Sequence, residues 1–151
     1  MSGDMEKKEI NNLKEWKLIQ KLISEGYIFP YDEINQIIKE QITYRYGFKN
    51  NPEKNHIIGY YQNPKRAHKN ADEIFLHCSL SCYDHEKCAE KRYNEFAGSI
   101  PKFPSNVGDS MFYGVLLESD GYMSKIDEVR HFDFYESKKC DMSKFVYLKN
   151  L

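Results

Sequence analysis

Ile10, Leu13, Trp16, Ile19, Leu22 and Ile23 recur at spacings of three and four, the period of one face of an α-helix. Asp4 stands where a cap would start that helix and Gly26 where a stop would end it. The pattern predicts a helix over residues 6–25, about 30 Å long at 1.5 Å per residue. A second helix is predicted over 31–47, with Pro30 at its start, Asp32 and Glu33 in its first turn, and Ile34, Ile37, Ile38 and Ile42 on one side. The short link between them predicts an antiparallel helical hairpin over residues 1–47.

Beyond Gly47 the period changes. Asn and Pro mark a loop over 49–55, and strands are predicted at 56–61 and 73–78. The Ser81-x-x-Asp84 spacing resembles a capping box, with Cys82, Ala89, Tyr93 and Phe96 on one face of an inserted helix over 82–97. Strands follow at 111–117 and 131–135. Ser119-Asp-Gly121 reads as a hairpin turn that pairs the first of these with residues from Tyr122 onward. The tail over 143–151 fits a strand or a short helix. The expected fold is therefore α+β, a helical hairpin packed on a mostly antiparallel sheet of about four to five strands with one inserted helix. With 151 residues it is expected to form a single domain, 1–47 helical and 48–151 sheet plus helix.

The longest apolar runs, such as residues 112–117, fall far short of the roughly 18–20 residues that span a bilayer. No membrane partner is expected. The charged first residues do not resemble a secretory signal, so the expected location is the cytoplasm and the four cysteines are expected to be reduced thiols. Glycine-rich nucleotide cradles are absent. Lysine outnumbers arginine 18 to 4, which with abundant Ile, Asn, Phe and Tyr is the usage of A/T-rich codons common in mobile elements.

A net charge of −1 conceals segregation. Residues 43–70 hold six basic residues and one acidic one, whereas the remaining segments are each mildly acidic. In that stretch Tyr44, Arg45, Tyr46, Tyr60, Tyr61, Lys65, Arg66 and Lys69 interleave cations with aromatic rings. Phosphates require positive charge and unstacked bases require flat faces, so these are candidate nucleic-acid contacts. The same stretch could cleave RNA without a metal. His56 and His68 would be the acid/base pair and Lys65 or Arg66 the phosphate cation. A solvated loop between two strands is the plainer reading.

His77-Cys78-x-x-x-Cys82-x-x-His85-x-x-Cys88 is a second cluster. Cys78, Cys82, His85 and Cys88 are candidate ligands for a structural zinc, although three ligands from one helix strain a tetrahedron. Cys82 also falls on the apolar face, where free cysteine is an ordinary core residue. No cofactor is favoured. The acidic residues at 120, 127, 128, 133 and 136 read as a solvated rim.

Three functions compete. Small size, abundant tyrosine and uneven charge favour a binding module that occludes a protein partner, as inhibitors, immunity proteins and counter-defence proteins do. A nucleic-acid-binding protein or metal-independent ribonuclease built on residues 44–69 is the alternative, and a zinc-stabilised interaction domain the third.

Overall fold

The computed structural model describes residues 11–37, 39–69 and 71–151. The Asp4 cap, Ile10, Ile38 and the end of the polar turn at Asn70 lie outside them. Helix α1 (Trp16–Ser24) keeps the predicted amphipathic face, burying Leu18, Ile19 and Leu22. It is shorter than the pattern predicts because Leu13 bridges Ser137 instead. Lys14 N–H donates to the Glu136 carbonyl and Lys138 N–H to the Asn12 carbonyl, so this stretch pairs with residues 136–138 as a strand would.

The predicted second helix does not form. A 3-10 turn at Tyr31–Glu33 leads into β1 (Ile34–Gln36), and β2 spans Glu40–Gly47. Isoleucines three and four apart mimic a helical face, yet Ile34 and Ile37 are buried while Ile42 is 48% exposed. Along 42–47 the period is two, with Thr43, Arg45 and Gly47 turned inward. Two predicted strands are helical instead. Residues 56–61 become a loop and α2 (Gly59–Gln62), followed by α3 (Pro64–Lys69), and Ala71–Cys78 is a 3-10 helix. That last segment buries Ile74, Phe75 and Cys78, a helical set of spacings.

The inserted helix begins later than predicted. Ser81 and Cys82 lie in β3 (Leu80–Tyr83), and α4 (Glu86–Ser99) is capped by His85, which accepts from Cys88 N–H. A short helix α5 (Phe103–Val107) precedes β4 (Ser110–Leu117). Next come β5 (Gly121–Ser124), β6 (His131–Glu136) and β7 (Val146–Asn150). The sheet has seven strands rather than four to five, in the order β1-β5-β6-β3-β2-β4-β7, and every adjacent pair is antiparallel.

The expected hairpin between β4 and β5 is also absent, because β4 lies between β2 and β7 while β5 lies between β1 and β6. The Glu118–Asp120 turn carries the chain across the sheet. Buried Asp120 accepts from Leu117 N–H at 2.7 Å and from Lys144 Nζ at 2.5 Å, and its carbonyl accepts from Ser137 N–H. Gly121 then adopts φ +149, where a Cβ would lie 2.1 Å from the Tyr135 carbonyl oxygen. No other residue fits that crossing.

The main core joins α1, the 3-10 helix and the sheet through Ile19, Leu22, Ile74, Phe75, Leu80, Phe132 and Phe134. On the other face of β2, β3 and β4, α4 covers Tyr83 and Met111 with Ala89, while Tyr93 stacks edge-on against Tyr46. Among the described residues, no helix is long and apolar enough to cross a membrane.

Two glycine substitutions should have opposite effects on the urea midpoint. Gly121→Ala should destabilise by about 1–3 kcal/mol. Gly98→Ala, with open space around it inside α4, should stabilise by about 0.5 kcal/mol.

Candidate functional site

Strands β2 and β3 meet at Tyr44 and Tyr83 and then part. The alternation that turns Thr43 and Gly47 inward does the same to Arg45, so a guanidinium enters the gap at 7% exposure. Arg45 Nη1 donates to the Ser81 carbonyl at 2.5 Å and contacts Cys82 Sγ at 3.8 Å. Its Nε donates to His56 Nδ1 at 3.1 Å. The side chain thus takes the place of the ladder hydrogen bonds that the diverging strands no longer make. Among the described residues no carboxylate forms an ion pair with it.

His56 is delivered by the loop after β2. Asn55 closes that loop on Phe48, accepting from its N–H at 2.6 Å and donating to its carbonyl at 3.2 Å. His56 follows with φ +60, a left-handed conformation unusual for a residue with a Cβ. Its ring lies 5.6 Å from that of Phe145. Burial, then Arg45 and Lys14, push its pKa down to about 3, so the ring is neutral and accepts from the guanidinium.

A cavity of about 270 Å³ opens in this gap between β2 and β3. Arg45, His56, Ser79 and Ser81 line it, with His77 and Asp133 beside them and Phe48, Tyr83, Phe96 and Phe103 as apolar walls. Asp133 sits opposite Ser81 in the ladder. Burial raises its pKa, against the opposing effects of His131 at 4.0 Å and of a Ser79 hydrogen bond. His131 Nε2 is 2.7 Å from Ser81 Oγ. Burial, then Arg66, lower the His77 pKa. A carboxyl and two imidazoles biased toward neutrality thus share one cavity lining with Arg45. Such a set can exchange protons with a ligand held against Arg45.

Of the residues singled out in the sequence, Arg45, Tyr46 and His56 border the cavity. Tyr46 donates to the Ala89 carbonyl, and burial raises its pKa. Tyr44 shares a strand face with Tyr46 but lies outside the cavity lining, against Tyr113, their ring centroids 5.3 Å apart. Tyr61 donates to Glu15 Oε1 at 2.5 Å, and Tyr60 packs on His68. Lys65, Arg66, His68 and Lys69 are exposed on α3, outside the cavity lining. His68 packs against Tyr27 as well, so the two candidate histidines stand in different surroundings.

The four metal candidates are also dispersed in role. Cys78 Sγ contacts the Ile74 carbonyl and Cys82 the Leu80 carbonyl, and burial pushes their thiols up to about 12 and 11. His85 caps α4, and Cys88 is half-buried in its first turn. Among the described residues, no three His, Cys, Asp or Glu side chains group as metal ligands do.

Asp133 is not a solvated rim residue, since its side chain is 21% exposed beside the cavity. Ser79, Ser81, Phe96 and Phe103 are contributors the sequence did not single out. Alternation in 131–135 puts Asp133 on a strand face, but only the β3–β6 pairing sets it across from Ser81.

The titration of His56 has a sign that can be measured. An unfolded histidine titrates near 6.5 and the native ring at about 3, so between these values the unfolded chain binds the extra proton. This contribution to stability is complete above pH 6.5 and is lost as pH falls toward 3. Asp133 and Glu136, both raised by burial, act oppositely, favouring the folded state until pH rises through their shifted values. Between pH 7 and 5 the wild type should lose about 1–2 kcal/mol more than His56→Asn, which tolerates left-handed backbone, in urea unfolding. Equal losses would place the titrating ring elsewhere.

Comparison with known proteins finds no matching family model, curated protein or solved structure, so function is argued from this geometry alone.

Proposed function

We propose that the cavity binds and acts on a small ligand combining an anionic group with a planar ring, of the nucleotide class. The observation that carries this reading is the buried Arg45, which meets no carboxylate at ion-pair distance among the described residues, buried Glu136 acting on it only from farther away. Taking an ion out of water costs several kcal/mol, and neutral acceptors such as His56 and Ser81 offset only part of that. A phosphate is the natural complement to the fork of a guanidinium. Phe48, Tyr83, Phe96 and Phe103 offer flat apolar surface to a base. A cavity of about 270 Å³ lies at the small end of ligand sites, suited to one nucleotide unit. Asp133 and His77 would supply proton transfer, which makes the reading that of an enzyme rather than of a carrier.

A second reading, the occluding binding module, is favoured by a different observation. Ile42 and Leu117, on one face of β2 and β4, are 48% and 42% exposed, and Val146 on β7 is 57% exposed beside Tyr113. Contiguous apolar surface of this kind suits a protein partner. Such a partner, retained from cell lysate in stoichiometric amount, should be lost on Ile42→Asp and Val146→Asp; retention by both variants removes this reading.

For the cavity, a thermal-shift panel of nucleosides, mononucleotides and dinucleotides is decisive. At about 100 times Kd a phosphorylated ligand should raise Tm by about 5–10 °C. The matching unphosphorylated nucleoside should have little effect. Arg45→Lys, which keeps the charge but loses the fork, should weaken binding at least about tenfold. Equal shifts with nucleoside and nucleotide, or none with either, would overturn the proposal.

A further inference from the structure

The positive excess of residues 43–70 is not spent inside the cavity. Only Arg45 is buried there, while Lys65, Arg66 and Lys69 are exposed on α3 and Lys54 is exposed at the cavity lining. Among the described residues none of these four cations forms an ion pair. Their arrangement is tied to the cavity by the chain itself. Gly59 and Gln62 of α2 line the cavity, and α3 starts two residues after Gln62. Arg66 is close enough to His77, a cavity residue, to act on its ionisation after burial has done so. Lys54 stands over the Phe48 ring at 5.5 Å, and Phe48 is a cavity wall. The surface also presents aromatic faces, since Tyr61 is 55% exposed with its hydroxyl fixed on Glu15.

We infer that a single-stranded polynucleotide docks across α2, α3 and the 49–54 loop, its terminal nucleotide in the cavity and its next phosphates on Lys54, Lys65, Arg66 and Lys69. The inference rests on the cavity reading for where the strand ends. Its phosphate path rests on the exposed cations. Unpaired cations beside a flat exposed ring meet the two needs of a single strand, charge for the backbone and a stacking surface for the bases. A duplex would first have to unstack and unpair a base, at a cost of a few kcal/mol, to send it into a cavity of about 270 Å³, a cost that a single strand avoids. An acidic protein would use the cations but neither the ring nor the cavity.

The test is fluorescence anisotropy with labelled oligo(dT) and oligo(U) of about twelve nucleotides, titrated over a range of salt. Five neutralised phosphates, one on Arg45 and four on the exposed cations, should give a slope of log K against log salt of about −3.5. The combined variant Lys65→Gln, Arg66→Gln, Lys69→Gln should reduce affinity by about 10²-fold and bring the slope to about −1.4. Its circular dichroism and its thermal shift with mononucleotides should stay as in the wild type. Arg45→Lys should do the reverse, losing the mononucleotide shift and keeping the salt slope. Binding of either oligomer supports the inference, and the tighter of the two identifies the natural strand. No binding at low salt, equal affinity for a duplex, or displacement by polyglutamate at equal charge concentration overturns it. If the mononucleotide shift is absent while the oligomer still binds with the predicted slope, the cavity reading fails and the phosphate path stands.

Discussion

A guanidinium held in the gap between two strands organises this protein. Arg45 occupies the place where β2 and β3 would continue their ladder, and it bonds the Ser81 carbonyl that the ladder leaves behind. A charge at 7% exposure is tolerable only if its donors are met, and hydrogen bonds to a charged group are worth about 1.5–3 kcal/mol each. That requirement reaches outward. His56 must stay neutral to accept from Nε, which its burial and the adjacent charge ensure. The loop that carries it must turn through a left-handed residue, which the Asn55 clamp on Phe48 enforces. The parted strands leave a cavity, and the guanidinium lines it with no carboxylate at ion-pair distance among the described residues. Stability and recognition thus draw on one side chain.

The chain crossing after β4 decides what else faces that cavity. Had Glu118–Asp120 been a hairpin turn, β5 would lie beside β4 and β6 would follow it away from Arg45. Instead the Asp120 carboxylate holds Leu117 N–H and Lys144, and Gly121 passes under the Tyr135 carbonyl. The strand carrying His131 and Asp133 is thereby delivered to β3. Asp133 meets Ser81 across the ladder although 52 positions separate them in sequence. A turn on the far side of the sheet is therefore as much a condition of the site as any residue in it.

Elements with a local signal were legible. Helix α1 follows from its leucine and isoleucine stripe, and β4 and β6 from apolar runs and alternation that hold their register in the sheet. The segment 31–47 was misread because isoleucines at 34, 37 and 42 satisfy a helical spacing by coincidence, whereas only cross-strand partners select period two. Residues 71–78 failed in the opposite sense. Short apolar runs carry no reliable period of their own, and packing of Ile74, Phe75 and Cys78 chose the helical form. In the site, Arg45 and His56 could be nominated from residue type and charge. Ser79, Ser81 and Asp133 could not, because a serine or an aspartate acquires its role from what pairing sets beside it.

The amino-acid sequence by itself determined the local and the chemical. It set where amphipathic helices can start, which residues alternate, and that one 28-residue segment carries the whole positive excess. Those properties depend on neighbours within a few residues or on composition, so they can be read in order. Tertiary structure alone decided which strand lies next to which, that Arg45 is buried while Lys65, Arg66 and Lys69 are not, and that a carboxyl from β6 and an arginine from β2 line one cavity. The physical reason is that hydrogen bonding and burial between distant segments are rewarded only when the chain closes on itself, and no local pattern records which partner will be there.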